Sequence, residues 1–484
     1  MPPGAQPPGT SPSSIARPRS SRPARTAEPT PEIRFDNNPF QYLNDEGLIM
    51  TASSTTFSRR GFLGLAAAAA AVPALAACGG GSASGGGNGE IKFWDMPWGT
   101  PAYNEAAKKL VEGYKPASGN LKASYQIIQW NNFYQTFSSA IASKTGPAVS
   151  TGGGFQAFQF DQQGQIAHAD GVVDAMKKNG MYDDLLPGVL DPFKSANGYV
   201  AVPWQLDMRV FWYRKSLFDQ AGVGLPKDWA TLLEAGKALK KIGAFGFMTG
   251  AGAGNNYGNH SMIMMMVNNG GGVWSKDGQL DLMNDRNVEA VEFLLELRSN
   301  GIIDPACLGY TTDNMSAQWK DKKAGFGLFQ IGVPQRVGDT SGDIMVADPI
   351  AGPHGDKATI VFPNNIMMYK NTPSQASSEA FLVNYLGQLK NLWQQKLMNS
   401  LPVFKSITQI PEFANDPNNV KIVKDWQPIA KTFAAQGSAL NANLAALDGG
   451  QALNQFTQTV LSGQTDAKTA LQTFQSSLQS VIKS

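Results

Sequence analysis

The chain has 484 residues, 42% of them hydrophobic, which is enough for two or three ordinary domains with cores of their own. Lysine and arginine total 40 against 38 acids, and residues 1–77 hold seven arginines and five acids, leaving 33 of each and no net charge in the remainder. Nothing in that balance calls for a nucleic-acid partner, which would need a basic face.

Residues 1–49 are rich in proline and arginine and show little apolar periodicity, the composition of a disordered segment. Ser58-Arg59-Arg60-Gly61-Phe62-Leu63 then precedes an uncharged, alanine-rich run ending Leu75-Ala76-Ala77-Cys78, followed by almost nothing but glycine and serine to Gly89. A buried alanine-rich helix would need a polar face, which the run lacks, and its apolar length falls short of the ~20 residues that span a bilayer. The pattern resembles a twin-arginine export signal (Arg59, Arg60) fused to a lipoprotein box. The expectation is a signal at 50–77, cleavage before Cys78, lipidation of its thiol, and a flexible tether at 78–89. Translation is expected to start at Met50, with 1–49 an over-extended gene model. Cys307 is then the one cysteine besides the lipidated one, so no intramolecular disulfide can form, and it is expected as a small buried apolar residue.

From Glu90 the pattern is globular. Ile91 and Phe93 alternate as in a strand, and Tyr103, Ala106, Leu110 and Val111 repeat at helical spacing. The loop between them carries Asp95 and Trp98 and would lie at the carboxyl end of the first strand, where open α/β sheets bind ligands. A second unit follows: a strand at 124–128, a loop with Trp130, and a helix at 133–143. Gly152-Gly153-Gly154-Phe155 sets a further loop; no Lys-Ser/Thr follows, so the glycines do not make a phosphate loop, and Gly153 and Phe155 read either as a close approach to a ligand or as a plain turn.

The most informative stretch is residues 202–222. Pro203 cannot donate a ladder hydrogen bond, Val210 and Trp212 alternate with polar neighbours, and Gly222 closes a short amphipathic turn. Asp228 caps the next helix, in which Trp229, Leu232, Leu233, Gly236 and Leu239 fall at helical spacing. Pro203-x-x-x-Asp207, Tyr213-x-Lys215, Leu217-Phe218, Ala221-Gly222 and Pro226-x-x-Trp229-x-x-Leu232 together resemble the extracellular solute-binding proteins of ABC sugar importers, the maltose-binding-like family, over roughly residues 90–484. Further on, Gly-Gly-x-x-Trp274 before Asp277-Gly278, Lys322 to Phe326, Asp348 to Gly355, Ile360 to Met368 and Leu401-Pro402-Val403 keep the family's order, whereas Ala148 stands where the family usually has aspartate.

The resemblance implies an α/β, two-lobed periplasmic-binding-protein-like fold of type II with three crossing segments: one lobe from 90–203 and 366–400, the other from 208–358 and 405–484. It further implies a carbohydrate bound between the lobes by a lipid-anchored monomer outside the cytoplasm, delivered to ABC permease subunits, with no cofactor. Sugar recognition asks for flat apolar faces and a few planar polar groups. Trp98, Trp130, Phe155, Trp204, Tyr257 and Trp274 all fall in expected loops or crossings, and for each, packing and ligand stacking are both open. Asp207 matches an acidic, hydroxyl-binding position of the family; Arg209, on the same strand face, either holds that carboxylate or meets the sugar. His260, Asn364 and Asn365 complete the candidate set, the asparagines by their place near the second crossing.

Other functions find little footing. His168, His260 and His354 are the three histidines, and no metal spacing, nucleophile elbow or zinc-protease motif includes them. Met262 to Met266 read as core filler rather than a copper site. A charged ligand such as a sugar phosphate or polyamine would call for basic or acidic residues in the cleft loops, which carry few. A surface glycosidase needs a carboxylate pair that one sequence does not reveal, and an adhesin remains as the other surface role.

Overall fold

The computed structural model describes residues 89–130, 133–434, 440, 442–448 and 450–482. Arg59, Arg60, Cys78 and the tether up to residue 88 lie outside these, as does the expected disorder of 1–49.

Three strands, β1 (Ile91–Asp95), β2 (Ala123–Ile127) and β3 (Val149–Gly152), run parallel in the order β2-β1-β3. They alternate with helices α1 (Tyr103–Glu112), α2 (Phe133–Ala142) and α3 (Gln156–Gln162). The loops after the three strands share one edge of the sheet, which is where a doubly wound lobe presents its ligand-facing groups.

The chain then passes into β4 (Val202–Arg214), thirteen residues buried at all but Asp207 and Tyr213. Burial on both faces follows from its neighbours. Residues Val202 to Met208 pair antiparallel with β7 (Thr359–Tyr369), whereas Arg209 to Arg214 pair with β5 (Phe326–Gln330) and β6 (Ile344–Val346). The strand therefore leaves one sheet and enters another between Met208 and Arg209, as the first crossing. Trp204 is skipped in the pairing with β7, whose register shifts between Asn364 and Asn365, and a bulge of this kind re-aims side chains beside it. β7 crosses back: Thr359 to Val361 pair with β9 (Ala430–Thr432), and Asn365 to Met368 pair with β3.

The third crossing starts at β8 (Leu401–Pro402), laid against Leu206 and Gln205. Lys405 and Ser406 still bond the backbone of Asp183 and the carboxylate of Asp184 in the first lobe, and Asn418 is the first residue beyond them to accept from Val346 of β6. The chain is thus tied to Asp183 and Asp184 as far as Ser406.

The second lobe is built on helices whose burial explains their sequence. α4 (Trp229–Lys241) begins at Asp228, whose carboxylate accepts from Thr231 N at 2.8 Å in a capping box, as the spacing indicates. α5 (Tyr257–Asn268) is buried at all twelve positions, so its methionines are core and its polar residues must find partners inside. They do so: Asn259 exchanges bonds with Asn454 and Thr457, Ser261 with Thr249, and Asn268 with Trp229 and Ile350 O. α6 (Asp285–Ser299) packs on α5, and the segment 257–260, expected as loop, is its neighbour's first turn. Cys307 is buried at 1% exposure, and burial pushes its thiol up to about 12.

In the tail, β9 precedes α7 (Ala442–Asp448), α8 (Gln451–Ser462) and α9 (Ala467–Gln479). Leu471, Phe474 and Leu478 are buried on one stripe, with Phe456 stacked on Phe474 at 4.6 Å; Val481 lies past the helix end and is 52% exposed.

Candidate ligand-binding cleft

The crossing strands carry the centre of the candidate site. On β4, Gln205, Asp207 and Arg209 share one face, and Asn364 and Phe362 of β7 stand opposite Gln205 and Asp207. Arg209 is 5% exposed and held through two of its nitrogens. Its Nη1 donates to Asp207 Oδ1 at 2.5 Å and to Met208 O, and its Nε donates to His260 Nδ1 at 2.9 Å. The guanidinium lies 5.3 Å from the Tyr257 ring and 5.1 Å from that of Phe362, a cation between two π faces.

Burial, reinforced by the charge of Arg209, holds His260 well below the usual histidine range. It is therefore neutral with Nδ1 unprotonated, the tautomer that accepts from Arg209. On Arg209, burial pulls downward, and Asp207 together with Tyr257 and Asp448 more than offsets it. What is left accessible is the Asp207 side chain, 21% exposed, with lone pairs to spare for hydroxyl donors.

Around this centre the lobes meet through aromatic rings. Phe155, after β3, lies 6.0 Å from both Phe362 and Phe433, which stack on each other at 4.9 Å, and His260 packs 5.0 Å from Phe362. Tyr134 of α2 donates to Asp448 of α7 at 3.4 Å across the interface. Burial pushes the Asp448 carboxyl up to about 6 against the opposing pull of Arg209 and of the Tyr134 bond. Tyr134, Phe362, Phe433 and Asp448 were not among the sequence candidates. The two tail residues lie in a polar stretch with no motif to mark them.

Several sequence candidates turn out to support the site rather than face it. Asp95 is fully buried and accepts from Met96 N, Trp98 Nε1, Tyr103 OH, Tyr125 OH and Thr151 Oγ1. Five donors exhaust a carboxylate's roughly four lone-pair positions, so Asp95 pins the loop instead of binding a ligand. Burial nonetheless raises it to about 6, outweighing bonds from Thr151, Tyr125, Tyr103 and Met96. Trp204 is corrected too: at 0% exposure it sits on the strand face opposite Asp207, edge-on to Trp98 at 5.7 Å and beside Tyr103. Phe155 at 1% and Trp274 at 4% are packed, the latter at its bridge with Leu280. Tyr257, at 6%, stacks on Phe329 and donates to Gln330 Oε1, while its ring serves Arg209.

The remaining candidates have open space, exposed ring surface or buried polar atoms left over. Gly153 has nothing within 4 Å of where a Cβ would stand, and its carbonyl accepts from Asn365 Nδ2. Asn364 Nδ2, Asn365 Oδ1 and Gln205 Nε2 are buried with no partner among the described residues, the state of groups that await water or a ligand. Trp98, 9% exposed, is fixed by Nε1 donating to Asp95 and Thr151, and Trp130 stands 4.8 Å from it, 41% exposed. A separate cavity of about 60 Å³ between Trp212, Gly332, Gln335, Trp393 and Ser400 has room for a few waters and is too small for a pyranose. Among the described residues no three His, Cys, Asp or Glu side chains converge as metal ligands, and no helix is long and apolar enough to cross a membrane.

The geometry has close counterparts. A sugar transporter from Arthrobacter chlorophenolicus A6, solved with bound laminaribiose, is 74% identical, covers 82% of this chain and 100% of its own, and superposes with a TM-score of 0.80. Maltose-bound T. maritima MalE3 shares the fold at 18% identity and a TM-score of 0.67, with 81% of this chain and 100% of its own covered. The diacetylchitobiose binding protein NgcE of Streptomyces coelicolor is 32% identical over 95 residues, which are 19% of this chain and one fifth (20%) of that relative's length. The family model described as bacterial extracellular solute-binding protein matches residues 98–388. With that match over residues 98–388 and a 74% identical relative covered over its whole length, the chain belongs to the bacterial extracellular solute-binding protein family.

Proposed function

We propose that the protein captures a short, uncharged gluco-oligosaccharide of the laminaribiose class between its lobes and passes it to the membrane subunits of an ABC importer. The single observation that carries the reading is the 74% identical relative, matched over its whole length, that holds laminaribiose. The geometry supports it: a part-exposed carboxylate, Asp207, is held in one orientation by a buried arginine at the point where the chain passes between lobes. Asn364, Asn365 and Gln205 each have one amide atom without a partner among the described residues, and Trp98 and Trp130 offer ring surface. The lobes on this reading are 90–203 with 366–400 and 208–358 with the chain from 405, adjusted to about 407 for the bonds of Lys405 and Ser406. Contacts to both lobes favour the closed form, because a ligand shifts such a balance only through its differential affinity for the two states.

Export by the Arg59-Arg60 signal and lipidation of Cys78 place a monomer on the outer face of the cell membrane in this proposal. The protein binds and does not turn over its ligand, in keeping with a family of binding proteins. A thermal-shift screen over laminaribiose, maltose, cellobiose, glycerol 3-phosphate and spermidine tests the ligand class. Ligand at about 100 times its dissociation constant adds ~2.7 kcal/mol to native stability. Stabilisation by laminaribiose is expected; stabilisation by the phosphate or polyamine alone, or release of glucose from laminaribiose, overturns the reading.

A further inference from the structure

The two ends of the first lobe's sheet differ in charge. The loops at the carboxyl ends of β1, β2 and β3, residues 96–102, 128–132 and 153–155, hold no lysine, arginine or acid. At the opposite end lie the connections into β2 and β3 and the one that leaves β7, which runs antiparallel to β3. These segments, 113–122, 143–148 and 370–378, carry Lys115, Lys122, Lys144 and Lys370 and no acid, and Lys92 stands second in β1. All five lysines are exposed. None has an ion-pair partner among the described residues, where the paired lysines are Lys108, Lys109, Lys177, Lys215 and Lys421.

The segments are tied together. Ile91 N donates to Lys122 O at 2.8 Å, and Asn371 Nδ2 donates to Lys144 O at 2.8 Å. Lys92, Lys144, Thr145, Asn371 and Thr372 line one groove of about 680 Å³ in which Glu90 is the one carboxylate. A solvated face ordinarily intersperses both signs; lysines gathered at one end set up a positive potential there, and unpaired ammonium groups are point charges suited to phosphate.

Gly89, the first described residue, opens the same groove and stands eleven residues past Cys78. A glycine-rich chain of that length has an r.m.s. reach of about 18 Å, roughly two Debye lengths at physiological salt. A lipid on Cys78 therefore keeps the lysine-bearing end, rather than the cleft edge, close to the headgroups.

We propose that this end of the first lobe docks on the anionic phospholipid headgroups of the membrane that carries the anchor, and so turns the cleft edge towards the medium. The inference rests on the lipid-anchor part of the reading above and adds to it a second, electrostatic contact. Attraction of lysines to an anionic leaflet decays over a Debye length, so the contact forms at physiological salt and is released at high salt.

The test is lysine acylation footprinting of the lipidated protein in vesicles of phosphatidylcholine, alone or with about one third phosphatidylglycerol. The readout is the labelling rate of Lys92, Lys122, Lys144 and Lys370 relative to the exposed Lys237 and Lys276 in the same sample, a ratio that vesicle yield leaves unchanged. Labelling is expected to slow about threefold in the anionic vesicles at ~0.1 M salt, and to recover at ~1 M salt, where the Debye length falls to about 3 Å. In the double variant Lys92→Gln, Lys144→Gln, the protection of Lys122 and Lys370 is expected to vanish. Equal labelling in the two kinds of vesicle, or protection that survives in the double variant, overturns the docking and leaves the anchor standing. Protection by inorganic phosphate in phosphatidylcholine vesicles assigns the lysines to a free anion and overturns the membrane contact. Protein recovered from cells without acyl chains on Cys78 overturns the anchor and this inference with it.

Discussion

Replacing Asp207 with asparagine separates the two jobs its carboxylate performs. Arg209 is 5% exposed and has Asp207 as its one anionic hydrogen-bond partner among the described residues, at 2.5 Å. Breaking a buried ion pair from one side costs 3–5 kcal/mol, and because Asp207 keeps 21% exposure and asparagine retains an acceptor oxygen, the low end, ~3 kcal/mol, applies here. For a folded body of about 390 residues the unfolding entropy is roughly 0.8 kcal/mol/K, so the expected fall in Tm is about 4 °C. Ligand binding loses a separate amount. Hydrogen bonds to a charged acceptor contribute ~1.5–3 kcal/mol, and Asp207→Asn should weaken laminaribiose by about ten- to a hundredfold in a titration on protein that remains folded. Scanning calorimetry gives the first number and isothermal titration the second. An unaltered Kd together with the lowered Tm would show that Asp207 is only the partner of Arg209, and would refute its place at the centre of recognition.

Other expectations follow from the loop and the amino terminus. The folded-state pKa of Asp95, raised to about 6 from 3.8, means that the native state binds its proton more tightly than the unfolded chain. The stability this group adds is full below about pH 4 and is lost, by ~3 kcal/mol, as pH rises through 6. The stability difference between wild type and Asp95→Asn should therefore fall across that window in urea titrations; a flat difference would contradict it. A Cβ at Gly99 would stand 1.9 Å from Leu397 O, a backbone atom that cannot step aside. Gly99→Ala should cost ~1–3 kcal/mol and also weaken sugar binding by displacing Trp98, whereas wild-type Tm and affinity would refute the tight loop. Cys78→Ala should abolish lipid labelling in cells, and continued labelling would disprove the anchor.

The crossing at 202–214 was legible because its constraints are local: a proline, a period-two pattern and a capped helix directly after it. Asp207 and Arg209 could be placed on one face by the same alternation, and their pairing was one of the two readings open for them. Trp204 was misjudged because the bulge beside Asn364 and the packing of Tyr103 and Trp98 are long-range facts. Asp95 looked like a ligand group since nothing in the sequence announces that Tyr103, Tyr125 and Thr151 converge on it. Phe433 and Asp448 were invisible for a related reason: no motif marks them in the tail, and only the fold returns them to Phe155 and to α2.

The central claim is that the cleft across Asp207 receives an uncharged glucan fragment, and isothermal titration of the purified protein with laminaribiose tests it most directly. One site per chain is expected, with tighter binding than maltose and no release of glucose. Absence of binding by folded protein, or equal affinity for glycerol 3-phosphate, would contradict the account.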